Sequence, residues 1–150
     1  MLNGDRVFFI DQVEAPHRLQ ALSAVGESLP AHCTAIGKAL LAGLTDEQVE
    51  RLLPEHLPAE TPNTITDRAA LLAGLARVRT SGVAYDREEL TIGISAVGAG
   101  IRDAGGIVAA LSIPVPTARF GGQEERLSGM LLRTCAEISA TLGANGHAGS

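Results

Sequence analysis

Leu29-Pro30-Ala31-His32-Cys33-Thr34-Ala35-Ile36-Gly37-Lys38-Ala39-Leu40-Leu41-Ala42 reads as an extended entry that turns abruptly into a helix. Pro30 disfavours helix at Leu29 and has no N–H for an upstream ladder. Thr34 is a suitable N-cap, and Ile36, Ala39 and Leu40 fall on one face of the helix it opens. The free N–H groups of that first turn, around Ala35, Ile36 and Gly37, carry the positive end of the helix dipole and suit a carboxylate or phosphate. Gly37 costs helix propensity, about 1 kcal/mol against Ala, so something packs close to the backbone there: a strand or a ligand.

Working outward, Arg6–Val13 is rich in β formers and Arg18–Leu22 alternates, so the two read as a hairpin around Ala15-Pro16-His17. After the central helix, Gly43 is a stop. Thr45 and Gln48 form a capping box for a short helix ending before Pro54. Pro54–Pro62 is a loop. Thr66 or Asp67 caps a helix with the stripe Leu71, Leu72, Leu75 and Val78, stopped by Gly82. Val83-Ala84-Tyr85 is a short strand, Thr91–Ile101 a strand loosened by glycines, and Asp103-Ala104-Gly105-Gly106 a hairpin turn. Ile107–Val115 is an apolar run, read as a central strand buried on both faces. A last helix spans Gln123–Leu142, and 144–150 is expected to be a disordered tail. The order β-β-α-α-α-β-β-β-α, with hairpins and no internal repeat, is α+β: an antiparallel sheet flanked by helices.

A chain of 150 residues fits one domain over 1–150. With 45% hydrophobic but only 3% aromatic residues, the core must be built from Leu, Ile, Val and Ala. Two cysteines, with no leader-like start and no long uncharged apolar run, point to a reduced, cytoplasmic protein off the membrane. A net charge of -5 argues against this piece holding DNA by itself. Arg77 and Arg79 read as the solvated face of a helix.

Four segments in order resemble one family. LPAHCTAIGKALLA is similar to the LPLHxTAxGKALLA signature of the effector-binding domain of IclR-type transcriptional regulators. Asn63-Thr64-Ile65-Thr66-Asp67, Gly82-Val83-Ala84-Tyr85-Asp86-Arg87-Glu88-Glu89 and Ile101-Arg102-Asp103-Ala104-Gly105-Gly106-Ile107-Val108-Ala109-Ala110-Leu111-Ser112 follow. The resemblance runs from about Gly4 to Gly143. It implies a GAF/PAS-like sensor that binds a small molecule and forms dimers or tetramers. DNA would be bound only through a winged helix-turn-helix that this chain lacks. Carried over by motif, the implied pocket comprises Ala35 and Ile36 at the helix start, Asp86, Ile94 and Ala96, and Ser112. Pro114 stands where the pattern often has a second hydroxyl or small residue. Glu89 is characteristic of the pattern and is given a structural role. Apolar walls with few polar points suit a small organic acid or aromatic carboxylate. No cofactor is implied.

Two rival readings remain. Cys33, beside a helix N-terminus, invites a thiol enzyme of GAF-like build, but adjacent residues in extended chain point to opposite sides, so His32 is a poor base for it. The plainer role is a buried, small apolar side chain. A ligand-free dimerisation module is the other rival. His17, His32, His56, His147, Cys33 and Cys135 have no metal-site spacing, and no nucleotide loop occurs. No catalytic residue or metal ligand is therefore assigned.

Overall fold

The structure, a computed structural model, describes residues 1–9 and 27–146. The expected strand Arg18–Leu22, its turn at Ala15-Pro16-His17, and the ends of the first strand and of the tail lie outside the described residues. What is described begins with three short strands, β1 (Leu2–Asn3), β2 (Arg6–Phe8) and β3 (Ser28–Pro30), paired antiparallel in that order. Helices α1 (Ala35–Leu41), α2 (Asp46–Leu52) and α3 (Arg68–Ser81) follow. A second antiparallel sheet, β4 (Ala84–Arg87), β5 (Ile94–Asp103) and β6 (Gly106–Pro116), has β5 in its centre. A short α4 (Thr117–Phe120) leads into the long α5 (Glu124–Gly146).

The local signals act as their chemistry requires. Thr34 Oγ1 accepts the Gly37 N–H at 3.1 Å and opens α1. Thr45 and Gln48 complete a reciprocal capping box on α2, and Asp67 caps α3. Gly82, at φ 81°, supplies the left-handed residue that ends α3 and lets the chain turn into β4. Asp103 pairs with Gly106 across a two-residue turn, as expected.

The second sheet is a layer between α1 and α5. Residues facing each other on neighbouring strands share a face. Gly98 lies against the backbone of Ala35, so Ile94, Ala96, Gly98 and Gly100 form the face toward α1. Val97, Ala99 and Ile101 form the other, packed with Phe120, Leu131 and Cys135. The remaining core gathers Val7, Leu40, Leu41, Val49, Leu71 and Leu75 around α1, α2 and α3.

Three expectations need correction. The central, most buried strand is β5, not β6: six successive positions of β5 from Ser95 to Gly100 include five that are buried, whereas no residue of β6 is. The glycines and alanines of β5 carry little hydrophobicity, but their small size is what lets α1 approach the sheet. The apolar run of β6 reflects coverage of both faces at the rim rather than depth. The β5 strand also begins later than Thr91 and reaches Asp103, and α5 continues past Leu142 to Gly146, so 144–146 is helix rather than tail. The β5–β6 hairpin is also irregular: a bulge at Val108, between the pairs Ile101–Ala109 and Arg102–Ile107, turns Ile107 toward α1. There it sits between Gly43 and Gly100: a Cβ added at either would come within 2.8 or 2.9 Å of its side chain.

Candidate functional site

The sheet register places the sequence-assigned residues side by side. Asp86 pairs with Ala96, Ala96 with Pro114, and Gly98 with Ser112, while Ile94 pairs with Pro116. By strand alternation Asp86, Ile94, Ala96 and Ser112 therefore occupy the face turned to α1, where Ala35 and Ile36 begin the helix. Ala35, Asp86 and Ala96 are buried, and Ile36, Ile94 and Ser112 are partly so. Helix and strand meet closely: a Cβ on Gly98 would lie 2.6 Å from the carbonyl carbon and oxygen of Ala35 and 3.0 Å from the Ile36 nitrogen. The cost at Gly37 has a different origin from a ligand. Its missing Cβ would fall 2.3 Å from the carbonyl oxygen of Ala31, so the chain's own entry segment occupies that space.

Next to this face lies a knot of buried polar groups. Lys38 Nζ, one turn along α1 from Ala35, donates to Glu89 Oε2 at 2.6 Å, and both side chains are at least nine-tenths buried. Asp86 Oδ1 accepts the Glu89 N–H at 2.8 Å, which folds the turn after β4. Glu88 takes a positive φ of 58° there. The Thr64 hydroxyl donates to the Glu89 carbonyl at 2.6 Å, and that of Thr61 to the Glu88 carbonyl at 2.6 Å. Three of the four family-like segments thus meet at one residue: Lys38 from the first, Thr64 from the second, Asp86 and Glu89 from the third. Sequence reasoning gave Glu89 a structural role but missed its partner, and the only available signal was a lysine placed inside an otherwise apolar helix stretch.

Burial pushes the Asp86 carboxyl up to about 6, opposed by the Glu89 N–H and reinforced by the Glu89 charge. The Cys33 thiol is pushed up to about 12, first by burial and then by the carboxylates of Glu60, Asp86 and Glu89. His32 Nε2 is hydrogen-bonded to the Pro58 carbonyl at 2.8 Å, and the Cys33 sulfur lies toward the Pro30 carbonyl instead. Such a thiol is neutral and inert at physiological pH. Among the described residues no group of three His, Cys, Asp or Glu could hold a metal. Arg79 is not the solvated residue expected: it binds the carbonyls of Ala42 and Leu44 and pairs with Asp46 at 2.8 Å. Arg87 lies over the Tyr85 ring and pairs with Glu124.

A cleft of about 370 Å³ opens at the far end of α1, with walls including Ala42, Arg79, Gly100, Arg102, Ile107 and Leu132. None of the six sequence-assigned residues lines it. It is an apolar concavity bordered by arginine. The α1-facing site differs in kind, bringing carboxylates, a hydroxyl and apolar side chains under one helix.

Comparison with known proteins identifies the family. The family described as bacterial transcriptional regulator IclR C-terminal matches residues 1–140. The chain is 54% identical over 140 residues to the HTH-type transcriptional regulator Rv1719 of Mycobacterium tuberculosis, covering 93% of this chain and 54% of that protein. The IclR of Thermotoga maritima superposes with a TM-score of 0.87 at 34% identity, over 95% of this chain and 59% of that one. An IclR homologue of Microbacterium hydrocarbonoxydans, crystallised with 4-hydroxybenzoate, superposes with a TM-score of 0.84 at 27% identity, over 94% of this chain and 57% of that one. This chain spans about half the length of the curated relatives it matches. With its antiparallel sheet, its helices and its motifs in order, the chain belongs to the IclR family, as the C-terminal regulatory domain of a bacterial transcriptional regulator.

Proposed function

We propose that this domain senses a small carboxylate effector between the start of α1 and the facing surface of β4, β5 and β6. In the longer regulator, occupancy of that site would bias the placement of a winged helix-turn-helix on DNA. The contacts assigned to the effector are Ala35, Ile36, Asp86, Ile94, Ala96 and Ser112. The observation that carries the reading is the register: four residues from three strands, carried over by motif, fall on one face opposite the two from α1. A relative holding 4-hydroxybenzoate supports a small aromatic or organic acid as the ligand class. The mechanism is a population shift, in which the effector favours one arrangement of the assembly by binding it better.

The domain acts as a sensor rather than an enzyme, in the cytoplasm, and associates with itself as a dimer or tetramer. The inert Cys33 thiol speaks against the thiol-enzyme reading. No described helix is long and apolar enough to cross a membrane. The acidic balance of the chain leaves DNA contact to the other half of the regulator.

A thermal-shift screen of small carboxylates tests the reading. A ligand at 100 times its dissociation constant stabilises the fold by about 2.7 kcal/mol. Ser112→Ala should weaken a true effector by about 0.5–1.5 kcal/mol while leaving the fold intact. Ala35 is too enclosed for a pocket-filling tryptophan to be a clean control. If no carboxylate raises the melting temperature, the ligand-free dimerisation module becomes the better reading.

A further inference from the structure

Glu89 uses only part of its carboxylate. Its Oε2 accepts from Lys38 Nζ at 2.6 Å and from the Arg87 N–H at 3.2 Å. Its Oε1 is buried and has no hydrogen-bond partner among the described residues. The side chain is 8% exposed. A buried carboxylate oxygen left unpaired is costly, and native proteins leave few such groups without a reason. The Asp86–Glu89 hydrogen bond sets this one beside the first strand of the α1-facing site, and the Lys38 ion pair sets it under α1 one turn from Ala35.

The surrounding charges define what can complete it. The facing groups are Lys38 from α1, Asp86 from β4 and Cys33 from the entry segment, with Glu60 near Cys33. Lys38 is the one cation in this set, and it is committed to Oε2. Thr61 and Thr64 spend their hydroxyl protons on the Glu88 and Glu89 carbonyls. No donor among the described residues reaches Oε1, and Pro114 offers no hydroxyl donor on the Ala96 row.

Resting on the proposed effector site, we infer that Glu89 reads the ligand: its free Oε1 accepts a hydrogen bond from a hydroxyl or amino group on the end of the effector remote from the carboxylate. The effector class narrows accordingly to hydroxy- or amino-substituted acids. The acid end would lie toward Ser112 and away from Asp86 and Glu89, and the donor end toward α1 and the turn after β4. Because the acceptor is charged and buried, an analogue without the donor leaves it unpaired, and discrimination is expected to reach about tenfold or more in dissociation constant.

The test uses the chain as it is, with matched probes measured by calorimetry: 4-hydroxybenzoate against 4-fluorobenzoate, 4-aminobenzoate against 4-methylbenzoate, and 3-hydroxypropionate against propionate. The expected result is that within any pair that binds, the donor-bearing member binds at least tenfold more tightly. The preference should vanish in the Lys38→Met/Glu89→Met double variant, which removes both charges and the acceptor together, and persist in Arg77→Met, at an exposed position of α3 outside the site. Equal affinities within a pair would overturn the inference, with a buried water completing Oε1, and would leave the effector site standing. A preference lost in Asp86→Asn but kept in the double variant would move the role to Asp86 and also overturn it. Binding by no probe at all would count against the effector reading itself, and the inference would fall with it.

Discussion

Gly98 and Ala35 touch through their backbones: the helix start and the central strand are so close that a Cβ on Gly98 would sit 2.6 Å from the Ala35 carbonyl. This contact sets the depth of the space between α1 and the sheet. Gly98→Ala should therefore push α1 off β5 and cost about 1–3 kcal/mol, as overpacking does. Gly93, with nothing within 4 Å of its absent Cβ, has ample space but a φ of 89°, so its alanine variant tests conformational strain alone. Chemical denaturation of both variants separates the two causes. A Gly98→Ala protein as stable as the parent would mean that α1 moves freely against the sheet.

The Lys38–Glu89 pair is buried and has little room to relax. Lys38→Met should cost about 3–5 kcal/mol, because it strands a carboxylate away from water. Replacing both partners, as Lys38→Met/Glu89→Gln, should recover a large part of that loss, since the uncompensated charge is then gone. The double-variant cycle, read by urea unfolding, gives the coupling directly. Additive losses would show that the two charges do not depend on each other.

Asp86 makes stability depend on pH with a definite sign. Unfolded, its carboxyl titrates near about 3.9; folded, burial raises it to about 6. Below the lower value both states hold the proton. Between the two, the folded state still binds a proton that the unfolded state has released, so rising pH removes stability across that window and no further loss follows above it. The full change is at most about 3 kcal/mol. Asp86→Asn keeps an oxygen for the Glu89 N–H but cannot titrate. The stability of the parent relative to Asp86→Asn should therefore rise as pH falls from 7 to 4. A difference that stays flat over that range would mean that Asp86 keeps an ordinary carboxylate pKa in the fold.

How far the sequence was legible depends on the range of the forces that act at each residue. Thr34, the Thr45/Gln48 box and Gly82 report on their own turns, so caps and stops could be read directly. The stripe Leu71, Leu72, Leu75 and Val78 marked the buried side of α3, although only Leu71 and Leu75 are fully enclosed. The rank of the strands was not legible, because Gly98 and Ala99 look weak as strand residues until the helix above them is known. The same holds for Lys38: its partner lies 51 residues away, and no local pattern announces it. The six assigned residues could be collected by motif, but the sharing of one face by the four on strands comes from strand pairing, which the sequence does not state.

Cys33 and Cys135 should both resist labelling in the folded protein. Cys33 is fully enclosed and its thiol is pushed up to about 12; burial also raises that of Cys135, which donates to the Ala99 carbonyl at 3.6 Å. A thiol probe at neutral pH should react with both only at the rate of unfolding, and denaturant should accelerate the two together. Cys33→Ser should leave effector binding intact. Rapid, selective labelling of Cys33 in the native state would revive the thiol-enzyme reading.

Arg77 and Arg79 are two residues apart on α3 and have similar sequence surroundings, yet the fold uses them differently. Arg77 is exposed. Arg79 reaches back to the end of α1, where Nε donates to the Ala42 carbonyl at 3.1 Å and Nη2 to the Leu44 carbonyl at 2.8 Å. Helix C-termini leave carbonyls unpaired and carry negative partial charge, so a guanidinium there satisfies acceptors and complements the dipole together. Its third contact, Nη1 to Asp46 Oδ1, lies in the first turn of α2 and ties the two helices across Gly43. Arg79→Met keeps much of the stem but removes every donor, and should cost about 1–3 kcal/mol by leaving those carbonyls unmet. Arg77→Met should stay within about 0.5 kcal/mol, as exposed positions usually do. Amide exchange adds a spatial readout: in Arg79→Met the N–H groups of Ala42, Gly43 and Leu44 should lose protection first, while those of β5 keep theirs. Equal losses for the two arginine variants would mean that the α1–α2 junction is held by Ile107 and the surrounding apolar contacts rather than by Arg79.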